Sequence, residues 1–143
     1  GCIVMHPGDP DDLNGAGGDI LERVRAFFEK KTTEAEQHGV NKNRLCFDPG
    51  IGFGKTNEEN FALIANPEKI RVPGTALLMA ASRKRVIGAV CGNPPFEDRM
   101  AGTVAAHTAS VLFGADMVRA HDTFEAVQAA RVADAIKQFR KGV

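Results

Sequence analysis

Four short, continuous apolar runs limit what this chain can fold into: Cys2–Met5, Arg44–Phe47, Thr75–Met79 and Ala115–Val118. None alternates polar with apolar residues in the manner of a strand with one wet face. Runs of this length suit strands buried on both faces, as in parallel sheets. Helical patterns separate them. Ile20, Val24, Phe27 and Phe28 form one apolar stripe, with Asp19 as the predicted N-cap and Gly39 as the stop after His38. A shorter helix is predicted over Glu58–Ala65, with Asn57 as N-cap and Pro67 beyond its end. A third is predicted over Phe96–Phe113, closed by Gly114, with Ala101, Val104, Ala105, Val111 and Leu112 on its apolar side. The last covers Thr123–Arg140, with Phe124, Val127, Val132, Ile136 and Phe139 expected to face inward. Strand and helix therefore alternate four times, which predicts an α/β chain of four βα units on a parallel sheet.

Composition narrows the function. Lys plus Arg is 18 and Asp plus Glu is 18, so net charge offers no argument for nucleic acid or a membrane surface. No apolar run approaches the ~18 residues of a membrane span, and neither Trp nor Tyr is present to stack bases. Cys2, Cys46 and Cys91 have no C-x-x-C spacing and read as buried free thiols of a reducing cytosol. The stretch Pro7–Gly18 reads as a mobile loop.

Each apolar run delivers polar residues at its carboxyl end: His6, then Asp48, then Ser82-Arg83-Lys84, then Arg119-Ala-His121-Asp122. In parallel α/β architectures those ends share one rim, where ligands bind. The segment after Asp48 imitates two phosphate motifs and fits neither. Gly50 and Gly54 have three residues between them where a Walker A loop has four, and Gly50, Gly52 and Gly54 give G-x-G-x-G rather than G-x-G-x-x-G. What survives is a loop that a ligand can approach closely, beside a carboxylate able to accept paired N–H bonds from an aminopyrimidinone edge. A plain glycine turn capped by Asp48 is the alternative. Ser82-Arg83-Lys84 opens a helix, and its hydroxyl, cations and backbone amides read as an anion site or as a solvated basic turn. Arg119 and His121 point to one face, so an anion between them would relieve their repulsion. A salt bridge from Arg119 to Asp116 or Asp122 is the competing reading. His38 and His107 read as structural or exposed, and His6 as either rim or core.

Taken together, Asp48-Pro-Gly-Ile-Gly-Phe-Gly-Lys55, Ser82-Arg-Lys84 with Ile87-Gly88, Arg99-x-x-Gly102-Thr103 and Gly114-Ala-Asp-Met-Val-Arg119-Ala-His121-Asp122 resemble the dihydropteroate synthase family, as does Met5-His6. The motifs keep family order and span nearly the whole chain. The resemblance implies a TIM (β/α)8 barrel of which residues 1–143 form the C-terminal half, since a complete barrel needs at least ~200 residues. It implies transfer of a dihydropterin methylene from the hydroxymethyl diphosphate to p-aminobenzoate, giving 7,8-dihydropteroate and pyrophosphate for folate synthesis. Asp48 would bind the pterin edge, and Met5 would pack on its ring. Phe53, Gly54 and Lys55 would line the pterin and p-aminobenzoate region, and Lys84 would touch both. Arg119 and His121, with Ser82, would hold the diphosphate; Lys84, Arg119 and His121 form the expected catalytic set. No metal ligand falls in this chain; Mg²⁺ is expected through the diphosphate and an N-terminal half. A cytoplasmic homodimer open to sulfonamides is expected of the complete enzyme, and no turnover of this half alone. Ala80 departs from a usual Gly, and Pro7-Gly8-Asp9-Pro10 lacks a second Met. A methyltetrahydrofolate-presenting methyltransferase module and a non-catalytic half-barrel that dimerises through its edges are the competing functions.

Overall fold

A computed structural model describes residues 1–8 and 18–140. Most of the predicted Pro7–Gly18 loop, Asp9 and Pro10 included, lies outside the described residues. The strands are β1 (Cys2–Met5), β2 (Leu45–Asp48), β3 (Ala76–Met79) and β4 (Met117–Val118), all parallel, in the order β1-β2-β3-β4. The four apolar runs locate all of them. The second run starts one residue late because Arg44 closes a 3-10 turn over Lys42–Arg44. The fourth is shorter than predicted because Asp116 turns its carboxylate back to accept the Leu77 amide at 2.8 Å.

Helix α1 (Ile20–Gln37) has the predicted cap: the Asp19 side chain accepts the Leu21 amide at 2.9 Å. It buries Ile20, Val24 and Phe28 against the sheet, and Phe28 stacks on Phe47 with ring centroids 4.5 Å apart. For α2 (Asn57–Ala65) the cap is Thr56 rather than Asn57. Thr56 and Glu59 bond reciprocally in a capping box, which satisfies two N-terminal donors where Asn57 would satisfy one. Pro67 opens one further turn, α3 (Pro67–Ile70), since its missing N–H costs nothing at a first helical position. The short α4 (Arg85–Val90) follows β3.

The predicted 96–113 helix divides into a 3-10 turn, Phe96–Arg99, and α5 (Met100–Leu112). Its buried stripe shares only Val111 with the predicted one. Thr103, Ala106, His107, Ser110 and Val111 face inward, while Ala101 and Ala105 are exposed. The buried hydroxyls bond back to helix carbonyls, Thr103 to Arg99 and Ser110 to Ala106 at 2.8 Å each, so burying them leaves no orphan.

Helix α6 (Thr123–Arg140) reverses the prediction outright. Ala126, Ala129 and Ala133 are buried, whereas Phe124, Val127, Val132, Ile136 and Phe139 are exposed, Phe139 by 84%. Small residues let α6 lie close on α5, its main neighbour; the large apolar groups are turned out. The cysteines also divide: all are free, but only Cys46 is buried, and burial pushes its thiol pKa up. Among the described residues no helix is long and apolar enough to cross a membrane.

Phe47, Leu77 and Met79 point into the helix-covered core. Their neighbours Ile3, Cys46, Leu78 and Met117 fall on the opposite face of the sheet, where Ile3 is 64% exposed. The carboxyl ends of β1 to β4 lie along one rim, with Met5 paired to Asp48 in register.

Candidate active site

The rim is built by the loops that leave each strand. After β2 the chain turns at once: Asp48 is buried, and its carboxylate accepts the Gly50 amide at 2.8 Å. Gly50 has φ +71°, and a Cβ there would sit 2.1 Å from the His6 carbonyl oxygen, so only glycine lets β1 and β2 end this closely. The loop is then tied down by two buried side chains. Asn60 accepts the Gly52 amide at 2.7 Å and donates to the Thr56 carbonyl at 2.7 Å. Lys55 donates to the carbonyls of Phe53 at 2.9 Å and Gly50 at 3.3 Å. Lys55, expected to line the ligand region, thus holds its ammonium among backbone carbonyls at these strand ends, the His6 carbonyl at 3.5 Å included. Nothing in the sequence marks Asn60 as the loop's anchor, because it is one more polar residue in a helix.

Beyond β3, two of the backbone amides expected to form an anion site are already used. Arg83 donates its amide to Thr103 Oγ at 2.8 Å, and Lys84 donates its own to the Ala81 carbonyl at 3.2 Å. Helix α4 starts only at Arg85, with Lys84 as its N-cap. The side chains are what reach the rim. Lys84 is half-buried; its ammonium donates to the Ile51 carbonyl and lies 4.6 Å from the centroid of the Phe53 ring. Burial and then nearby Arg119 lower its pKa, against the pull of Asp48. Gly52 permits this contact, since a Cβ would come 3.2 Å from Lys84 Cδ.

After β4, the Arg119 amide donates to the Met79 carbonyl at 3.1 Å, and the ladder stops there. The competing salt bridges for Arg119 are taken elsewhere: Asp116 pairs with Arg71 at 2.7 Å, and Asp122 pairs with Arg83. Ser82 is buried, and its hydroxyl accepts the His121 amide at 3.1 Å and meets His121 Nδ1 at 2.8 Å. If the hydroxyl donates to Nδ1, neutral His121 carries its proton on Nε2. If Nδ1–H donates instead, the Ser82 proton is free. Either way one N–H or O–H remains for a ligand.

Ala80, Ser82, Lys84, Arg119, Ala120 and His121 line one cavity of about 330 Å³. It draws three of the predicted cation-bearing residues and the serine into one place. Ala80, the departure from glycine, is among the residues that line it. Asp48, Met5, Phe53 and Gly54 sit on the neighbouring strand end and loop, outside this cavity's lining. His6 is core: it is buried, its ring lies 5.0 Å edge-on to Phe27, and Nδ1 accepts the Gly8 amide. His107 is fully buried in α5, and neither ring nitrogen has a hydrogen-bond partner. Among the described residues no three His, Cys, Asp or Glu side chains cluster to hold a metal ion.

This rim can be compared with known proteins. Residues 1–121 match the family described as pterin binding enzyme. The chain belongs to the pterin-binding enzyme family. Relatives include the dihydropteroate synthase of Synechocystis, 36% identical over 137 residues covering 94% of this chain and 47% of that protein. The dihydropteroate synthase of Escherichia coli K12 is 33% identical, with 94% of this chain and 48% of the relative covered. Among solved structures, the Xanthomonas albilineans dihydropteroate synthase in complex with 7,8-dihydropteroate is 35% identical, with a TM-score of 0.85 over 94% of this chain and 50% of that one. The chain thus spans about half the length of these relatives, and its four-stranded parallel sheet with the helices packed on it matches part of a TIM barrel.

Proposed function

We propose that this chain is the diphosphate- and pterin-holding half of a dihydropteroate synthase. One observation carries the reading: Lys84, Arg119, His121 and the Ser82 hydroxyl converge on a single cavity, while the acids that could neutralise Arg119 are bound to other arginines. In the proposed reaction the amine nitrogen of p-aminobenzoate attacks the pterin methylene carbon. The C–O bond to the diphosphate breaks, its electron pair leaves on oxygen, and the amine gives up its proton to water. Negative charge builds on the leaving oxygens, and fixed cations stabilise it without a general base. Arg119 and His121 would grip the diphosphate with Ser82, and Asp48 would accept N–H bonds from the pterin edge. Lys84, held against Phe53, would stand between the two substrates, with Met5, Phe53 and Gly54 lining the pterin and p-aminobenzoate side. We assign Lys55 to holding that loop in shape.

A magnesium ion accompanying the diphosphate would take its protein ligands from outside the described residues. The complete enzyme is proposed to be a cytoplasmic homodimer and a target for sulfonamides. The exposed apolar stripe of α6 supports the dimer, and light scattering tests it. A methyltransferase module has no diphosphate to hold, which makes this cationic set superfluous.

The test combines pyrophosphate binding with turnover. Titrated with pyrophosphate, the chain is expected to bind weakly and to lose that binding in Arg119→Ala. Paired with the N-terminal half of the Escherichia coli relative, it should form 7,8-dihydropteroate, while alone it should not. Saturable methyltetrahydrofolate binding without any pyrophosphate binding would instead support the methyltransferase reading.

A further inference from the structure

Beyond Arg119 the β3–β4 ladder has no further backbone bonds, yet the two chain ends stay together as far as Asp122. Two consecutive side-chain pairs replace the ladder: Ser82 with His121, and Arg83 with Asp122. Arg83 grips Asp122 with two nitrogens, Nε to Oδ2 at 2.9 Å and Nη2 to Oδ1. Its other side faces the Phe96 ring, with the guanidinium carbon 5.1 Å from the centroid, and the same ring meets His121 edge-on at 5.3 Å. Arg83 also holds φ +54°, a region that a non-glycine residue keeps only when its surroundings over-determine it. Here they do: Thr103 Oγ accepts its amide at 2.8 Å, and Arg99 Nη1 donates to its carbonyl at 3.2 Å. That left-handed step sends neighbouring side chains in different directions, Ser82 and Arg83 across to β4's loop and Lys84 to the β2 loop.

We infer that Arg83, Asp122 and Phe96 form a clasp of positioning residues that fixes the His121 imidazole and the Ser82 hydroxyl for the anion without touching it. This deepens the proposed function and rests on its reading of the anion site. The geometry favours this over a solvated ion pair: the fork is bidentate, it is capped by an aromatic ring, and the residues beside it in sequence are the anion-holding ones.

Pyrophosphate titrations of the chain, followed by the amide and imidazole NMR signals of Ser82 and His121, test it. Asp122→Asn and Arg83→Lys are each expected to weaken pyrophosphate binding about tenfold, the lower end of what loss of an outer partner costs at metal sites. The signature of a hydrogen-bonded His121 Nδ1 should vanish in both, with the melting temperature near wild type. Asp122→Glu, which keeps the carboxylate, should recover both binding and signature. Wild-type affinity in Asp122→Asn and Arg83→Lys overturns the clasp while leaving the site reading intact. Weaker binding with the Nδ1 signature unchanged also overturns it, by reducing the pair to a long-range charge effect. A wild-type chain that does not bind pyrophosphate overturns the site reading and the clasp together.

Discussion

His107 shows what a single residue can cost this fold. Its imidazole is buried among helices with both nitrogens unpartnered, and burial lowers its pKa below the ordinary histidine value. Above that value, about 6.5, the ring is neutral whether the chain is folded or not. As the pH falls below it, the unfolded chain takes up a proton that the folded chain resists, so stability declines. Thermal melts from pH 7 to pH 5 are expected to show a steeper loss for wild type than for His107→Met. The variant should already be ahead by about 1–3 kcal/mol at pH 7, the cost of a buried polar group without a partner, and its lead should widen toward pH 5. Parallel pH curves for the two proteins would refute this. A lone histidine in an alanine-rich helix carries no mark of such burial, which is why the sequence alone leaves His107 between structural and exposed.

Helix α6 carries a different lesson, about elements. Its large apolar residues and its alanines both recur at helical spacing, so periodicity alone offers two candidate inner faces. Hydrophobicity ranks the phenylalanines first, but close packing on α5 requires the smaller side chains. Ala133, fully buried, has no room to grow: Ala133→Leu should cost about 1–3 kcal/mol through overpacking. Phe139→Ser should stay within about 0.5 kcal/mol of wild type, as exposed substitutions usually do. Urea denaturation of both variants decides it, and the opposite ranking would restore the inward-facing phenylalanines. Elements whose signal is local are readable from sequence, such as the Asp19 cap and the four strands. The Thr56–Glu59 box is equally local, but Asn57 beside it is an equally good cap by residue type and draws the prediction one position on. The pairing of faces in α5 and α6 depends on neighbours distant in sequence, and no window of residues contains it.

For the molecule as a whole, the sheet is most secure at its centre. β2 and β3 are flanked by strands on both sides, while β1 and the two-residue β4 each have one hydrogen-bonded neighbour. Hydrogen exchange should therefore be slowest at the amides of Phe47, Leu77 and Met79 and much faster in β1 and β4; uniform protection across the four strands would contradict this ordering. The candidate site follows the same division. That polar residues leave every strand at one rim is legible in the sequence, because parallel topology makes strand ends converge. That Lys55 serves backbone carbonyls, and that Asp122 belongs to Arg83 rather than Arg119, is not, because competing partners are resolved only in three dimensions. Those pairings also reach far along the chain: Ser82 to His121 and Arg83 to Asp122 each span 39 residues, and Lys84 to Ile51 spans 33. Contacts that close such long loops are slow to form, because chain entropy is lost before the contacts offset it. The cavity is therefore among the last features to appear during refolding, and recovery of anion binding should lag behind recovery of helix content.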